Sequence, residues 1–103
     1  MTTPRFDELI HPSTRLSIVS LLAAADWAEF GYLRDQLALS DSALSKQLST
    51  LEQAGYVTVD RSDRRRVRAR LTGDGRTAFR GHVAALQAIV ATAHIPAPSP
   101  ISE

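Results

Sequence analysis

Cysteine is absent from the chain of 103 residues. Its absence excludes disulfide bonds, thiol redox sensing and metal sites built on cysteine. No stretch approaches the ~20 consecutive apolar residues of a membrane span. The first segment, MTTPRFDELIH, has no basic region followed by an apolar run, as a secretion signal would have. We therefore expect a soluble protein of the cytoplasm.

Signatures of catalysis are also missing. The sequence has no glycine-rich phosphate loop, no histidine and aspartate paired with a nucleophile, and no cluster of metal ligands. The spacing of His11, His82 and His94 is not that of metal ligands. We therefore predict no catalytic residue, no metal and no cofactor, and we regard an enzyme as the least favoured class.

Net charge is close to zero, but the charge is unevenly distributed. The formal net charge is +1, while 44% of the residues are hydrophobic, which is enough for the core of one domain. Seven of the 12 Lys and Arg residues are arginines between positions 60 and 76. A nearly neutral protein with one concentrated basic element is expected to have a local electrostatic site.

Hydrophobic spacing and capping residues predict three helices before the basic element. The first begins at Pro12 or Ser13 and ends near Asp26, and a short second helix covers about residues 31–38. Ser40 is a good N-cap for the third, whose apolar stripe of leucines ends before a terminating glycine. This stripe comprises Leu44, Leu48 and Leu51, and the glycine is Gly55.

The basic element itself alternates with the period of a β-hairpin. YVTVDRS and RVRARLT read as two strands joined by a polar turn around residues 62–64. Thr72 is then expected to cap a long last helix over residues 73–94. The segment IPAPSPISE, with three prolines, is predicted to be a disordered tail at 95–103, which leaves one domain over residues 1–94.

The order of these elements fits a helix-turn-helix followed by a wing. The segment LSDSALSKQLSTLEQAGYVTVDRSDRRRVRARLTGDGR resembles the core of MarR-type winged-helix regulators, and especially the short single-domain family grouped with them. It carries, in the family's order, Leu51-Glu52, Gly55, Asp63-Arg64-Arg65, Leu71-Thr72 and Gly75. Metal-sensing relatives of the ArsR type carry cysteine ligands, which are absent here.

The resemblance covers residues 13–80 and implies an α+β, mainly α fold: a winged helix-turn-helix with a two-stranded wing and a long C-terminal dimerisation helix. It also implies a transcriptional regulator of double-stranded DNA, a homodimer and a repressor. MarR-type proteins usually have further helices at both ends, which form the dimer and the ligand pocket. The chain has fewer, so whether a small-molecule effector binds is left open.

The third helix is the predicted recognition helix. If its leucines face inward, the opposite face presents short polar side chains that fit the major groove. The alternative is a solvated helix face, which would be favoured if the basic hairpin were not adjacent. The predicted DNA contacts of this helix are Ser42, Ala43, Ser45, Lys46, Ser49 and Thr50.

The wing is expected to reach the minor groove, whose negative potential attracts arginine. The resemblance implies that Arg65 reads this groove. Asp63 either orients an arginine or is a plain turn residue. Arg68 and Arg70 either meet phosphates or form a solvated strand face that prevents edge aggregation. The predicted wing contacts are Asp63, Arg64, Arg65, Arg66, Arg68 and Arg70.

The last helix carries an apolar stripe at coiled-coil spacing, which predicts a dimer interface because little remaining chain could cover it. The predicted interface comprises Phe6, Leu9, Ile10, Phe79, Val83, Leu86, Ile89 and Val90. The alternative function is a winged-helix module that binds an acidic protein partner. Such a module would more often expose apolar residues on the recognition helix, where this chain has serine and lysine.

Overall fold

The computed structural model describes residues 5–93; the predicted tail at 95–103 and His94 lie outside them. Four helices and three short strands follow in the order α1 (Ser13–Ala23), β1 (Ala28–Glu29), α2 (Phe30–Leu37), α3 (Asp41–Gln53), β2 (Val57–Asp60), β3 (Arg68–Leu71) and α4 (Gly73–Thr92). The predicted winged helix-turn-helix is therefore confirmed. Over residues 5–93, no helix is long and apolar enough to cross a membrane.

Local signals explain the turn between α2 and α3. The first helix of the motif ends at Ala38, which adopts the left-handed conformation with φ 52°. This brings the Leu39 N–H to within 3.0 Å of the Arg34 carbonyl oxygen, which accepts its hydrogen bond. Ser40 then caps α3, as predicted, because its side-chain oxygen accepts from the Ala43 N–H at 3.1 Å. The two helices are thus joined by only three residues.

The core lies between the helices and the inner face of the sheet. As the leucine stripe predicts, α3 buries Leu44, Leu48 and Leu51. The helix α1 contributes three buried aliphatic residues, and α2 contributes one. These four residues are Ile18, Val19, Leu22 and Leu33. Because α3 is packed on its leucine side, its serine-rich side is left facing solvent.

The sheet has three antiparallel strands in the order β1-β3-β2, one more than the predicted two-stranded wing. The strand β1 has only two residues, which is too short to show a period in the sequence, and it is defined by its pairing with β3. In this register Ala28 and Ala69 face the core, while Glu29 and Arg68 lie opposite each other on the outer face. The wing is therefore anchored to the domain through its central strand, β3.

Thr72 and Gly75 join the start of α4 to the end of α3. The Thr72 hydroxyl accepts from the Gly75 N–H at 2.9 Å, which confirms the predicted cap, and donates to the Gly55 carbonyl oxygen at 2.6 Å. Gly55 itself has φ 82°, a conformation that favours glycine. A Cβ at Gly75 would overlap the Tyr56 carbonyl oxygen. The close approach of α4 to the wing therefore requires a residue without a side chain at position 75.

Candidate nucleic-acid interface

An open groove of about 620 Å³ lies between α3, the start of α2 and the wing. Helix α3 lines it with Ser45 and Ser49, and the wing lines it with arginines. These arginines are Arg61, Arg64, Arg65 and Arg66. The polar side of α3 and the arginines of the wing therefore face the same space.

The other predicted residues of α3 surround this lining. Ser42 and Lys46 are exposed, and Ala43 and Thr50 are partly buried. The Thr50 hydroxyl donates to the Lys46 carbonyl oxygen at 3.1 Å, so it is already engaged within the helix. Ser45, Ser49 and Lys46 are thus the groups of this helix that are best placed for an external contact.

Asp63 shapes the tip of the wing. Its carboxylate oxygen Oδ1 accepts from the Arg65 N–H at 2.9 Å, and its carbonyl oxygen accepts from the Arg66 N–H at 3.0 Å. A side chain that hydrogen-bonds the backbone two residues ahead forms a compact turn. Asp63 therefore orients the arginine segment through the backbone, and its structural role as a turn residue and its effect on the arginines coincide.

The arginines differ in whether an acid neutralises them. Arg61 pairs with Glu52 at 3.2 Å and Arg66 with Glu29 at 3.1 Å. Within residues 5–93, neither Arg64 nor Arg65 has an acidic group within salt-bridge distance. Both are exposed. Among the arginines that line the groove, the charge that no acid neutralises therefore lies at the tip, on Arg64 and Arg65.

Arg68 and Arg70 lie on the outer face of the sheet and do not line the groove. Their guanidinium carbons lie 4.3 Å and 5.2 Å from the centre of the Trp27 ring. Arg68 also pairs with Asp60 at 3.2 Å. Hydrogen bonds from the Ser62 hydroxyl and N–H, and then from Arg68, hold the pKa of Asp60 below its ordinary value. The predicted DNA contact of these two arginines stays a prediction.

Two arginines of the groove escaped the sequence-based prediction of the site. Arg34 lines the groove from α2 and is held at 3.0 Å by Asp41 and at 3.1 Å by Asp35, which raise its pKa further above the ordinary range of arginine. Arg61 lines it from the end of β2. The only signal for Arg61 was its place in the arginine cluster, and Arg34 had no signal because its position depends on the packing of α2 against α3.

The predicted dimer residues divide into exposed and packed groups. Ile89 and Val90 on the last turns of α4 are 54% and 47% exposed, and Phe6 is 42% exposed. In contrast, Ile10 is fully buried, so its contribution to a dimer would be indirect. The remaining four are partly buried: Leu9, Phe79, Val83 and Leu86.

A histidine cluster joins the N-terminal segment to α4. His82 is fully buried, and its Nδ1 accepts from the Asp7 N–H at 2.9 Å. Its Nε2 lies 3.3 Å from Nδ1 of His11. Burial, and then the neighbouring His11, lower the pKa of His82, although the charge of Asp7 acts against this change. In residues 5–93, no group of three or more His, Cys, Asp or Glu residues could hold a metal ion.

Comparison with known proteins identifies the family. The family described as "Winged helix DNA-binding domain" matches residues 14–90. The chain belongs to this family. The family consists of DNA-binding proteins rather than enzymes. Its match confirms both the predicted winged-helix regulator and the prediction that the chain is not an enzyme.

Individual relatives agree with this assignment. An uncharacterized protein of Methanocaldococcus jannaschii is 30% identical over 79 residues, which are 74% of this chain and 86% of the relative. A transcriptional regulator homologue from Pyrococcus horikoshii has the same fold, with a TM-score of 0.80, 22% identity, and coverage of 86% of this chain and 91% of that chain. The zinc-responsive MarR family member ZitR from Lactococcus lactis gives a TM-score of 0.60 at 26% identity, over 80% of this chain and 58% of its own. The winged-helix chain is therefore MarR-like.

Proposed function

We propose that the protein is a sequence-specific transcriptional repressor that binds double-stranded DNA as a homodimer, with α3 in the major groove and the tip of the wing in the minor groove. The observation that carries the proposal is the shared groove. Serines of α3 and arginines of the wing face one concave space of about 620 Å³, so one duplex could contact both elements. The label of repressor rests on the resemblance to MarR-type regulators alone.

The recognition helix has side chains that suit base edges. The hydroxyls of Ser45 and Ser49 can donate or accept, and the Lys46 ammonium donates. None of these three side chains is branched at Cβ by a large group, so the helix backbone can come close to the floor of the major groove. Ser42 lies at the exposed N-terminal end of the helix, where its hydroxyl and the free backbone N–H groups favour a phosphate.

The tip of the wing supplies the cations. Arg64 and Arg65 are exposed and face the groove, and Asp63 holds the backbone that carries them. Guanidinium groups are well suited to the narrow, electronegative minor groove. Arg66 would act after exchanging its partner Glu29 for a phosphate. For Arg68 and Arg70, we infer a contact with flanking phosphates that is weaker than the contact of the tip.

The homodimer is supported by exposed apolar residues at the end of α4. Ile89 and Val90 would be covered by a second copy, and a two-fold axis through α4 would present two recognition helices to one face of DNA. Half-sites one helical turn apart, about 34 Å, would then form a palindromic operator. Ile89→Glu with Val90→Glu should give a monomer without disturbing the core, since both side chains are exposed. Gln87→Glu, on the same helix, is the matched control for light scattering.

A binding titration tests the DNA contact. Fluorescence anisotropy with a pool of genomic duplexes should show binding at low salt, and the affinity should fall by ~10³ or more between 50 and 200 mM salt if a dimer neutralises ~6 to 10 phosphates. An acidic polypeptide of matched charge is the control partner. A chain that bound the polypeptide and no duplex would be a protein-interaction module instead.

A further inference from the structure

The N-terminal segment is fastened to α4 by a cluster of three rings. The Phe6 ring centre lies 4.7 Å from the His11 ring and 4.7 Å from the His82 ring, and the two histidine rings are 5.3 Å apart. His82 is fully buried, whereas His11 is exposed. The buried ring of His82 therefore lies directly beside an exposed ring.

The hydrogen bonds fix the protons of this pair. Because Nδ1 of His82 accepts from the Asp7 N–H at 2.9 Å, it carries no proton, and the neutral ring holds its proton on Nε2. That Nε2–H faces Nδ1 of His11 at 3.3 Å, so Nδ1 of His11 is the acceptor. Both hydrogen bonds of His82, the one from the Asp7 N–H and the one to His11, form only when the two rings are neutral.

We propose that His82, with His11 against it, is a proton-operated latch, which holds residues 5–8 against α4 while the His82 ring is neutral and releases them when this ring takes a proton. A proton on Nδ1 of His82 would face the Asp7 N–H, donor against donor. This event replaces a hydrogen bond with a repulsive contact.

Both carboxylate oxygens of Asp7 already accept hydrogen bonds from groups other than the histidines. Its Oδ1 accepts from the Leu9 and Ile10 N–H groups at 2.9 and 3.2 Å, and its Oδ2 accepts from the Tyr56 hydroxyl at 2.6 Å. The last bond raises the pKa of Tyr56 to about 12, so the hydroxyl remains a donor at any physiological pH. The ionisable groups that act on His82 are thus His11 and Asp7, with Tyr56 behind the carboxylate.

Release concerns the residues before Leu9, and it must also break the hydrogen bond from the Tyr56 hydroxyl to Oδ2 of Asp7. The side chain of Arg15 on α1 donates to the Leu9 carbonyl oxygen and to Oε1 of Gln47, and neither bond involves the two histidines. Ile10 is fully buried. The segment that can detach therefore carries Phe6, one of the residues we assign to the dimer interface. Any effect on DNA binding rests on the proposed function, so the latch is tested without DNA.

Protons should favour opening by linkage. Because the folded chain lowers the pKa of His82, the unfolded chain binds more protons below about pH 6.5, and the free energy of unfolding should fall as the pH drops through that value. If opening requires one proton, the protection of the Asp7 N–H against hydrogen exchange should fall about tenfold per pH unit. The Ala43 N–H, which is bonded to Ser40, should keep its protection.

The test is amide exchange and histidine titration by NMR on the full chain between pH 7.5 and 5.0. In wild type, Asp7 should lose protection as the His82 ring titrates. His82→Asn keeps an acceptor oxygen near the position of Nδ1 and cannot titrate, so Asp7 should then stay protected throughout. His11→Asn removes a neighbour that lowers the pKa of His82, so opening should move to higher pH.

Three results would overturn the latch. The first is constant protection of Asp7 in wild type down to pH 5.0. The second is a His82 ring that titrates while Asp7 keeps its protection. The third is a folded His82→Asn chain that opens over the same range as wild type. If His82→Asn does not fold, the exposed position of His11 keeps the experiment decisive, because an unshifted transition in His11→Asn also rejects the proposal.

Discussion

Two parts of the wing use the same amino acid in different surroundings. At the tip, Arg64 and Arg65 are exposed, face the groove beside α3 and have no acidic partner within residues 5–93. On the outer face of the sheet, Arg68 and Arg70 stack over Trp27, and Arg68 is also paired with Asp60. The charge of the tip has no acidic partner, whereas the two outer arginines contact the Trp27 ring and one of them is also paired with an acid.

The difference shows that a cluster of arginines does not by itself locate a binding site. One member of the cluster, Arg76, donates to the carbonyl oxygens of Ala23 and Ala25 at 3.3 Å and so ties the end of α1 to α4. Three members have acidic partners: Arg61, Arg66 and Arg68. Charge that is already neutralised contributes less to an external anion, because the pair must first be broken.

The strongest test of this comparison removes each pair of arginines in turn. Arg64→Ala with Arg65→Ala should weaken DNA binding about 100-fold, because each minor-groove or phosphate contact is worth ~1–3 kcal/mol. The slope of log affinity against log salt should also fall by about 2 per chain. Arg68→Ala with Arg70→Ala is the matched control, with the same loss of charge, and should cost about fivefold or less. Anisotropy titrations at several salt concentrations measure both quantities.

Equal losses in the two double variants would break the comparison. They would mean that the total charge of the wing matters more than its geometry, or that DNA wraps around the outer face of the sheet. Thermal melts of both variants at the assay pH provide the necessary control, since the Arg68 and Arg70 substitutions also remove the stack on Trp27.

Local chemistry made much of the fold predictable. Ser40 and Thr72 cap helices through bonds to residues three positions ahead, so both helix starts could be read from a few letters. The leucine stripe of α3 likewise fixed which side of this helix is buried. Because the buried side of α3 was known, its solvent side could be predicted as well. That side includes Ser45, which lines the groove.

The features that were missed depend on residues that meet only in the folded chain. The strand β1 exists because two residues pair with β3, about 40 positions away in sequence. His11 and His82 are 71 positions apart, and their sequence spacing gave no reason to connect them. Glu29 and Asp60, the acids that pair with Arg66 and Arg68, also come from other elements of the fold. Periodicity assigns a residue to a face, but it does not give the neighbour on that face.

Trp27 sharpens the structural side of the comparison. If the outer arginines serve the domain, removing the ring they cover should lower stability and leave DNA binding intact. Trp27→Ala should reduce the free energy of unfolding by about 2 kcal/mol, from lost apolar burial together with cation–π contacts of ~0.5–1 kcal/mol each. Trp27→Leu retains apolar bulk and should cost about 1 kcal/mol. Denaturant melts give both values, and a large loss of DNA affinity in either folded variant would place the outer face in the interface.

Asp63 gives the smallest and most specific test of the tip. Its carboxylate is close to the two free arginines in sequence, so a purely electrostatic view predicts that any neutral substitution should strengthen binding to DNA. The geometry predicts otherwise, because Oδ1 of Asp63 holds the Arg65 N–H at 2.9 Å and thereby fixes the turn. Asp63→Ala should lose this bond and weaken binding about threefold to fivefold, the cost of ~1 kcal/mol for one hydrogen bond.

Asp63→Asn separates the two views, because its amide oxygen can accept the same bond without the negative charge. We expect its affinity to equal or exceed that of wild type, while Asp63→Ala falls below it in the same anisotropy assay. If the alanine and asparagine variants both bind more tightly than wild type, charge alone governs the tip. If Asp63→Asn keeps the affinity of wild type while Asp63→Ala binds more weakly, DNA binding depends on how the backbone presents Arg65.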